Sequence, residues 1–308
     1  MESFKDAVVR FLASPSVRTP ATSALAILGL VYAANKALKW RYLRTCSTWD
    51  WKKEIVLVTG GSSGIGNLMV RNLARRNIKV VAIDVQPPAT PFTAGVRFYK
   101  LDVTSSSAIR ETAARIRKDV GDPTVVVNNA GVGFMKPILD ETEDEVRRTF
   151  DVNIVAHFAM VKEFLPHMIR EDHGHVVTIA SMATFLTIAS NVAYSCTKAA
   201  ALSFHEGLGQ ELKYRYNARN VCTSIVHPMF IRTPLIESVI GRATFTEPLL
   251  DPNDVAETVT RHIVAGRSGQ IFLPGYCSLI SGLRGFPVLL QELVRGSKAS
   301  VLADETAS

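Results

Sequence analysis

Ile55-Val56-Leu57-Val58-Thr59-Gly60-Gly61-Ser62-Ser63-Gly64-Ile65-Gly66 joins an apolar, β-branched run to a glycine-rich turn. The run predicts a buried strand, and the residues after it open a helix. Glycines permit the tight turn and let backbone N–H groups approach a pyrophosphate at the helix N-terminus. A glycine-rich turn alone is a weak signal, and its place between strand and helix strengthens it. The spacing is GxxxGxG rather than GxGxxG.

Outward from this segment, short β-branched runs recur at Val80–Ile83, Val125–Val127, Val176–Ile179 and Val221–Val226. Stretches with helical spacing lie between them, at Ser106–Lys118, Glu143–Arg170 and Ala199–Tyr216. Alternating strands and helices predict an α/β domain with a doubly wound parallel sheet, helices covering both faces. No repeat or long linker divides residues 54–275, so one domain is expected there.

The second strand ends in Ile83-Asp84. A carboxylate at that strand end accepts hydrogen bonds from an adenosine ribose 2′-OH and repels a 2′-phosphate. Ser62 and Ser63 offer a 2′-phosphate no positive charge. These residues favour NAD, with NADP as the alternative. Tyr194 and Lys198 stand at i, i+4, which on a helix puts them side by side. A neighbouring ammonium favours the phenolate and lowers a tyrosine pKa toward the working range. Ser181 follows the apolar run Val176–Ile179, and strand C-terminal ends line the ligand crevice of such sheets. Its hydroxyl is therefore expected to polarise a substrate oxygen.

With Leu101-Asp102-Val103, Asn128-Asn129-Ala130-Gly131 and Asn153 in the same order, residues 53–275 resemble the short-chain dehydrogenase/reductases, whose fold is Rossmann-like. The GxxxGxG turn is that family's own variant. The resemblance implies hydride transfer between a nicotinamide cofactor and an alcohol or carbonyl. It assigns Tyr194 as proton donor or acceptor and Lys198 as the residue holding the nicotinamide ribose. Ser181 stabilises the substrate oxygen, and Asn153 helps hold a water in a proton relay. Gly60, Ser62, Ser63, Gly64, Ile65, Gly66 and Asp84 would hold the dinucleotide. Asp102 and Val103 would flank the adenine, and Asn129, Ala130 and Gly131 would border the cofactor. Ile231 and Thr233 would meet the nicotinamide carboxamide, although Met229 stands where the family usually has glycine. The long helices are where the family often pairs, so a homodimer is expected by resemblance. A non-catalytic nucleotide-binding scaffold would require a damaged tetrad, and none of Asn153, Ser181, Tyr194 and Lys198 is lost.

The chain has 308 residues, with 35 Lys+Arg against 28 Asp+Glu for a net charge of +7. Residues 1–53 hold nine of the basic side chains and three of the acids. The nearly neutral remainder argues against nucleic acid, which calls for a basic stripe on the folded domain. Neither the four cysteines nor the seven histidines show metal-ligand spacing, so no metal is expected. Thr19–Asn35 carries no charge. As a helix it would be roughly 25 Å long against a bilayer core of about 30 Å. A buried helix and a membrane anchor or interfacial helix both fit, the anchor being favoured. The expected plan is an amphipathic segment at 1–18, the hydrophobic helix at 19–39 and a basic, aromatic linker at 40–53. The catalytic domain at 54–275 and an apolar extension at 276–308, disordered after Lys298, complete it. Basic residues after the apolar run would hold the domain on the cytosolic side. These features are similar to those of the microsomal retinol and hydroxysteroid dehydrogenases, which implies the endoplasmic reticulum or a lipid-droplet surface. Phe134, Met135, Met182, Phe185, Leu186, Met229 and Phe230 are expected to wall a pocket for a lipophilic substrate.

Overall fold

The computed structural model describes residues 49–302 and, nearer the N-terminus, residues 23, 26–27 and 29–34. The chain divides into two compact units, Met1–Arg44 and Thr45–Ser308. In the first, residues 29–34 are helical. Among the described residues no helix is long and apolar enough to cross a membrane. Most of the expected anchor at 19–39 lies outside the described residues, as do the amphipathic segment at 1–18 and residues 40–48 of the linker.

In the second unit seven strands form one sheet in the order β3-β2-β1-β4-β5-β6-β7. They are β1 (Ile55–Thr59), β2 (Lys79–Asp84), β3 (Val96–Lys100), β4 (Val125–Asn128), β5 (Gly174–Ile179), β6 (Val221–Pro228) and β7 (Gly269–Leu273). Every neighbouring pair is parallel. The expected single-domain Rossmann-like sheet is what the chain forms. Side chains alternate across the pleat of β1. Leu57 joins Val81, Ile83, Val126 and Val176 in the core on one face. Val56 and Val58 join Val80, Ala82, Val125 and Val127 on the other. Helices α2 (Ser106–Asp119), α4 (Ala156–Glu171) and α5 (Val192–Tyr214) cover the first face. Helices α1 (Gly64–Ala74) and α7 (Pro252–Val264) cover the second.

The structure departs from the sequence reading in four places. Strands β3 and β7 were not expected, because both are edge strands whose exposed positions dilute the apolar run. The strand expected at Val176–Ile179 starts earlier, and His175 lies fully buried in β5. The expected continuous helix Glu143–Arg170 is α3 (Glu143–Phe150), a π-turn at Asp151–Val155, and α4. The chain just past Lys298, expected to be disordered, buries Val301 and Leu302 against Met135, Ile236 and Val239. Short α6 (Glu237–Ile240) and C-terminal α8 (Val288–Gly296) complete the helices.

Candidate functional site

The strand order reverses between β1 and β4, and there the glycine turn meets the end of β4. Thr59 ties the two together. Its hydroxyl donates to the Val127 carbonyl at 3.3 Å and accepts from the Asn129 and Ala130 N–H groups at 3.0 and 3.1 Å. Asn129 Nδ2 in turn donates to the Thr59 and Gly60 carbonyls at 2.9 and 3.2 Å. Gly60 and Gly64 have φ of 63° and 51°, backbone that glycine adopts without strain. A Cβ on Gly66 would stand 2.0 Å from the Gly60 carbonyl oxygen. Ser63 caps α1 without a side-chain hydrogen bond to its first turn. The first N–H groups of α1 thus need an acceptor from outside the side chains, as an anion-binding helix N-terminus does. A dinucleotide's pyrophosphate fits this cradle.

Asp84 accepts from the Ser62 N–H at 2.9 Å, so its carboxylate adjoins the glycine turn from the end of β2. Asp102 accepts from the Thr104 N–H and hydroxyl and from Arg148. Burial raises its pKa, yet the Thr104 hydrogen bonds and Arg148 outweigh it and hold the carboxyl below the usual range. Val103 belongs to the core.

Ser181, Tyr194 and Lys198 converge on one cleft of about 580 Å³ at the C-terminal ends of the strands. Ser181 starts a 3₁₀ turn, Met182–Thr184, and its Oγ accepts from the Ala183 N–H at 3.1 Å. Tyr194 and Lys198 stand in the first turns of α5. Burial pushes the Tyr194 phenol up to about 12, opposed by its side-chain hydrogen bond with Ser181. Burial brings the Lys198 amine down to about 8. Lys198 Nζ donates to the Ile179 carbonyl at 2.9 Å and lies 5.3 Å from the centre of the Tyr194 ring. The ammonium is turned to a carbonyl, and desolvation dominates the phenol.

Asn153 stands in the π-turn, fully buried. Its Oδ1 accepts from the Val132 N–H at 2.8 Å, and its Nδ2 donates to the Val132 carbonyl at 2.9 Å and to Thr197 Oγ1 at 3.1 Å. Thr197 donates to the Tyr194 carbonyl at 2.7 Å. Asn153 thus clamps the Gly131–Val132 segment to the helix that carries Tyr194.

Of the expected cofactor residues, Gly60, Ser63, Gly64, Ile65, Gly66, Asn129, Ala130, Gly131, Ile231 and Thr233 line the same cleft. Ser62, Asp84, Asp102 and Val103 lie outside it. Asp102 borders a separate depression with Gln86, Lys100 and Arg115. Phe134, Met135, Met182, Leu186, Met229 and Phe230 wall the cleft as expected. Phe185 does not, because it packs with Met182 and Cys277 and against His227. His227 is buried beneath Ser181, its Nδ1 3.3 Å from the Ser181 carbonyl oxygen. Ile188, Leu235, Ile236, Glu247, Ile280, Lys298 and Val301 also line the cleft. Ile280 falls in an apolar stretch of the C-terminal extension, while no local pattern signals the others, which arrive from loops, a 3₁₀ turn and the segment after the last helix.

A family model described as short chain dehydrogenase matches residues 54–242. The chain belongs to the short-chain dehydrogenase family. Over 243 residues it is 35% identical to estradiol 17-beta-dehydrogenase 11 of Rattus norvegicus, covering 76% of this chain and 80% of the relative. It is 46% identical over 181 residues to dehydrogenase RED2 of Cochliobolus heterostrophus, covering 58% of this chain and 68% of the relative. A solved short-chain dehydrogenase from Streptomyces avermitilis superposes with a TM-score of 0.65 at 25% identity, over 79% of this chain and 99% of that one. The expected likeness to hydroxysteroid dehydrogenases is found: the chain is 32% identical over 241 residues to 17-beta-hydroxysteroid dehydrogenase 13 of Homo sapiens, covering 76% of this chain and 79% of the relative. As a short-chain dehydrogenase the chain is an NAD(P)-dependent oxidoreductase.

Proposed function

We propose that this short-chain dehydrogenase interconverts a lipophilic alcohol and its carbonyl, with Tyr194 as acid and base and with NAD preferred to NADP. The observation that carries this reading is the meeting of the Tyr194 and Ser181 hydroxyls in a cleft otherwise walled largely by apolar side chains. Relatives named for estradiol and hydroxysteroids support the lipophilic class. The bound nicotinamide supplies or accepts the hydride.

The substrate oxygen sits between the two hydroxyls. Ser181 donates to it and favours the charge it develops. Tyr194 Oη takes the alcohol proton in oxidation and returns it in reduction. Burial pushes the phenol up to about 12, and positive charge beside the ring would oppose that rise. Lys198, 5.3 Å from the ring centre, would supply that charge and would hold the nicotinamide ribose. Asn153 positions rather than reacts, through Val132 and Thr197. Attachment to a membrane through residues 1–53 belongs to the same proposal, supported by the basic excess there.

Tyr194→Phe is expected to lower kcat by at least about a hundredfold, the ordinary contribution of a positioned acid or base. Steady-state kinetics on a panel of lipophilic alcohols would measure it, and full turnover by the variant would reject Tyr194. For the cofactor, Asp84 beside the glycine turn is expected to give NAD at least about a tenfold advantage in kcat/KM, about 1.4 kcal/mol. An NADP preference under identical conditions would overturn that reading.

A further inference from the structure

Among the described residues, three charged side chains line the cleft: Lys198, Glu247 and Lys298. Lys198 belongs to the tetrad. The other two meet each other, Glu247 Oε1 lying 2.7 Å from Lys298 Nζ. Glu247 comes from the loop between α6 and α7, and Lys298 from the segment just past α8. The Glu247 side chain is only 7% exposed, against 39% for Lys298. Met135, Phe230, Ile236 and Val301 line the same cleft.

An ion pair is a poor choice for simply closing this wall. Taking a carboxylate out of water costs about as much as the pairing returns, and an apolar pair of similar size would serve as well. The two segments are already joined by other contacts. Val301 and Leu302 are buried against Ile236 and Val239, and Arg242 Nη1 donates to the Leu302 carbonyl at 3.2 Å. The charged pair therefore adds polar capacity to a wall that apolar packing holds. The contact engages one carboxylate oxygen and one N–H. A carboxylate has two acceptor oxygens and an ammonium three donors.

We propose that the Glu247–Lys298 pair is a second recognition point of the substrate site, and that it takes a hydroxyl distinct from the one at the reacting carbon. This inference rests on the alcohol–carbonyl reading above. A hydroxyl donates to Glu247 and accepts from Lys298 at once, so it enters without breaking the pair. A carboxylate would compete with Glu247 for the ammonium and face its charge. A bare hydrocarbon would strip water from both charges and return no hydrogen bond. The substrate class is then lipophilic diols and hydroxy ketones rather than simple fatty alcohols.

The test uses the full chain with NAD and a series of secondary alcohols on chain and ring frameworks. Each is paired with its analogue carrying a second hydroxyl at the far end. The expected result is a kcat/KM at least about tenfold higher for the best diol than for its partner, as polar pockets reject analogues that leave them unpaired. Glu247→Gln and Lys298→Met should each pull that ratio toward one. Turnover of the simple alcohols with no diol preference in any pair overturns this inference alone, and needs no variant to fold. A preference unchanged in both folded variants overturns it too. Absence of turnover with every alcohol, and with the matching ketones and NADH, overturns the underlying reading, and this one with it.

Discussion

Gly66 shows how one atom decides a binding site. Its missing Cβ leaves room for the Gly60 carbonyl, which a methyl group would meet at 2.0 Å. Gly66→Ala must therefore push the turn open. A stability loss of about 1–3 kcal/mol is expected, with NADH affinity falling by at least about tenfold. Thermal unfolding and NADH fluorescence titration check both. Gly64→Ala is the milder change. Its Cβ would touch Thr233 at an ordinary 3.7 Å, and only the φ of 51° is costly, by about 1 kcal/mol. Thr59 and Asn129 are as decisive, because their hydrogen bonds hold the turn against β4.

The π-turn at Asp151–Val155 changes what a helix can present. An extra residue in the turn re-aims the side chains there, and such turns are frequent at functional sites. Here it delivers Asn153 to both backbone groups of Val132. Asn153→Leu keeps the volume and removes the polar atoms. It strands a donor and an acceptor, and about 2–4 kcal/mol of stability should go with them. Urea unfolding measures that loss, and kcat should fall because the clamp on the Tyr194 helix is gone. The start of α3 follows a local signal: Thr142 and Glu145 have capping-box spacing, and both of its hydrogen bonds form. The π-turn was not legible, because residues 143–170 read as one continuous helical stretch.

Across the second unit, buried histidines set the acid limit. His157 and His175 are buried, and desolvation brings each down to about 3 from an ordinary 6.5. Between these values the unfolded chain binds protons that the folded chain refuses. The stability is complete above pH 6.5 and drains as pH falls toward 3. The slope approaches about 1.4 kcal/mol per pH unit for each histidine. Urea midpoints at pH 7 and pH 5 should therefore differ clearly, and His175→Asn should shrink the difference. Equal midpoints in the parent protein would show that the histidines charge without cost.

Short-range order carried most of the reading. Strand, turn and helix around Ile55–Gly66, the Asp84 strand end and the Tyr194–Lys198 spacing are local patterns, and local sterics and hydrogen bonding decide them. Five central strands were visible because strands buried on both faces are continuously apolar. Edge strands β3 and β7 were hidden by their half-exposed composition. The alignment of Ser181, Tyr194 and Lys198 on one cleft came from the order of motifs. Its electrostatics did not, because burial of the phenol depends on every element packed around it. The far wall of the cleft belongs to the tertiary structure alone. Glu247 and Lys298 are 51 residues apart in the chain, and no periodicity links a loop to the segment after the last helix. Packing of Val301 and Leu302 on the α6 region, with the Arg242–Leu302 hydrogen bond, brings the two charges together.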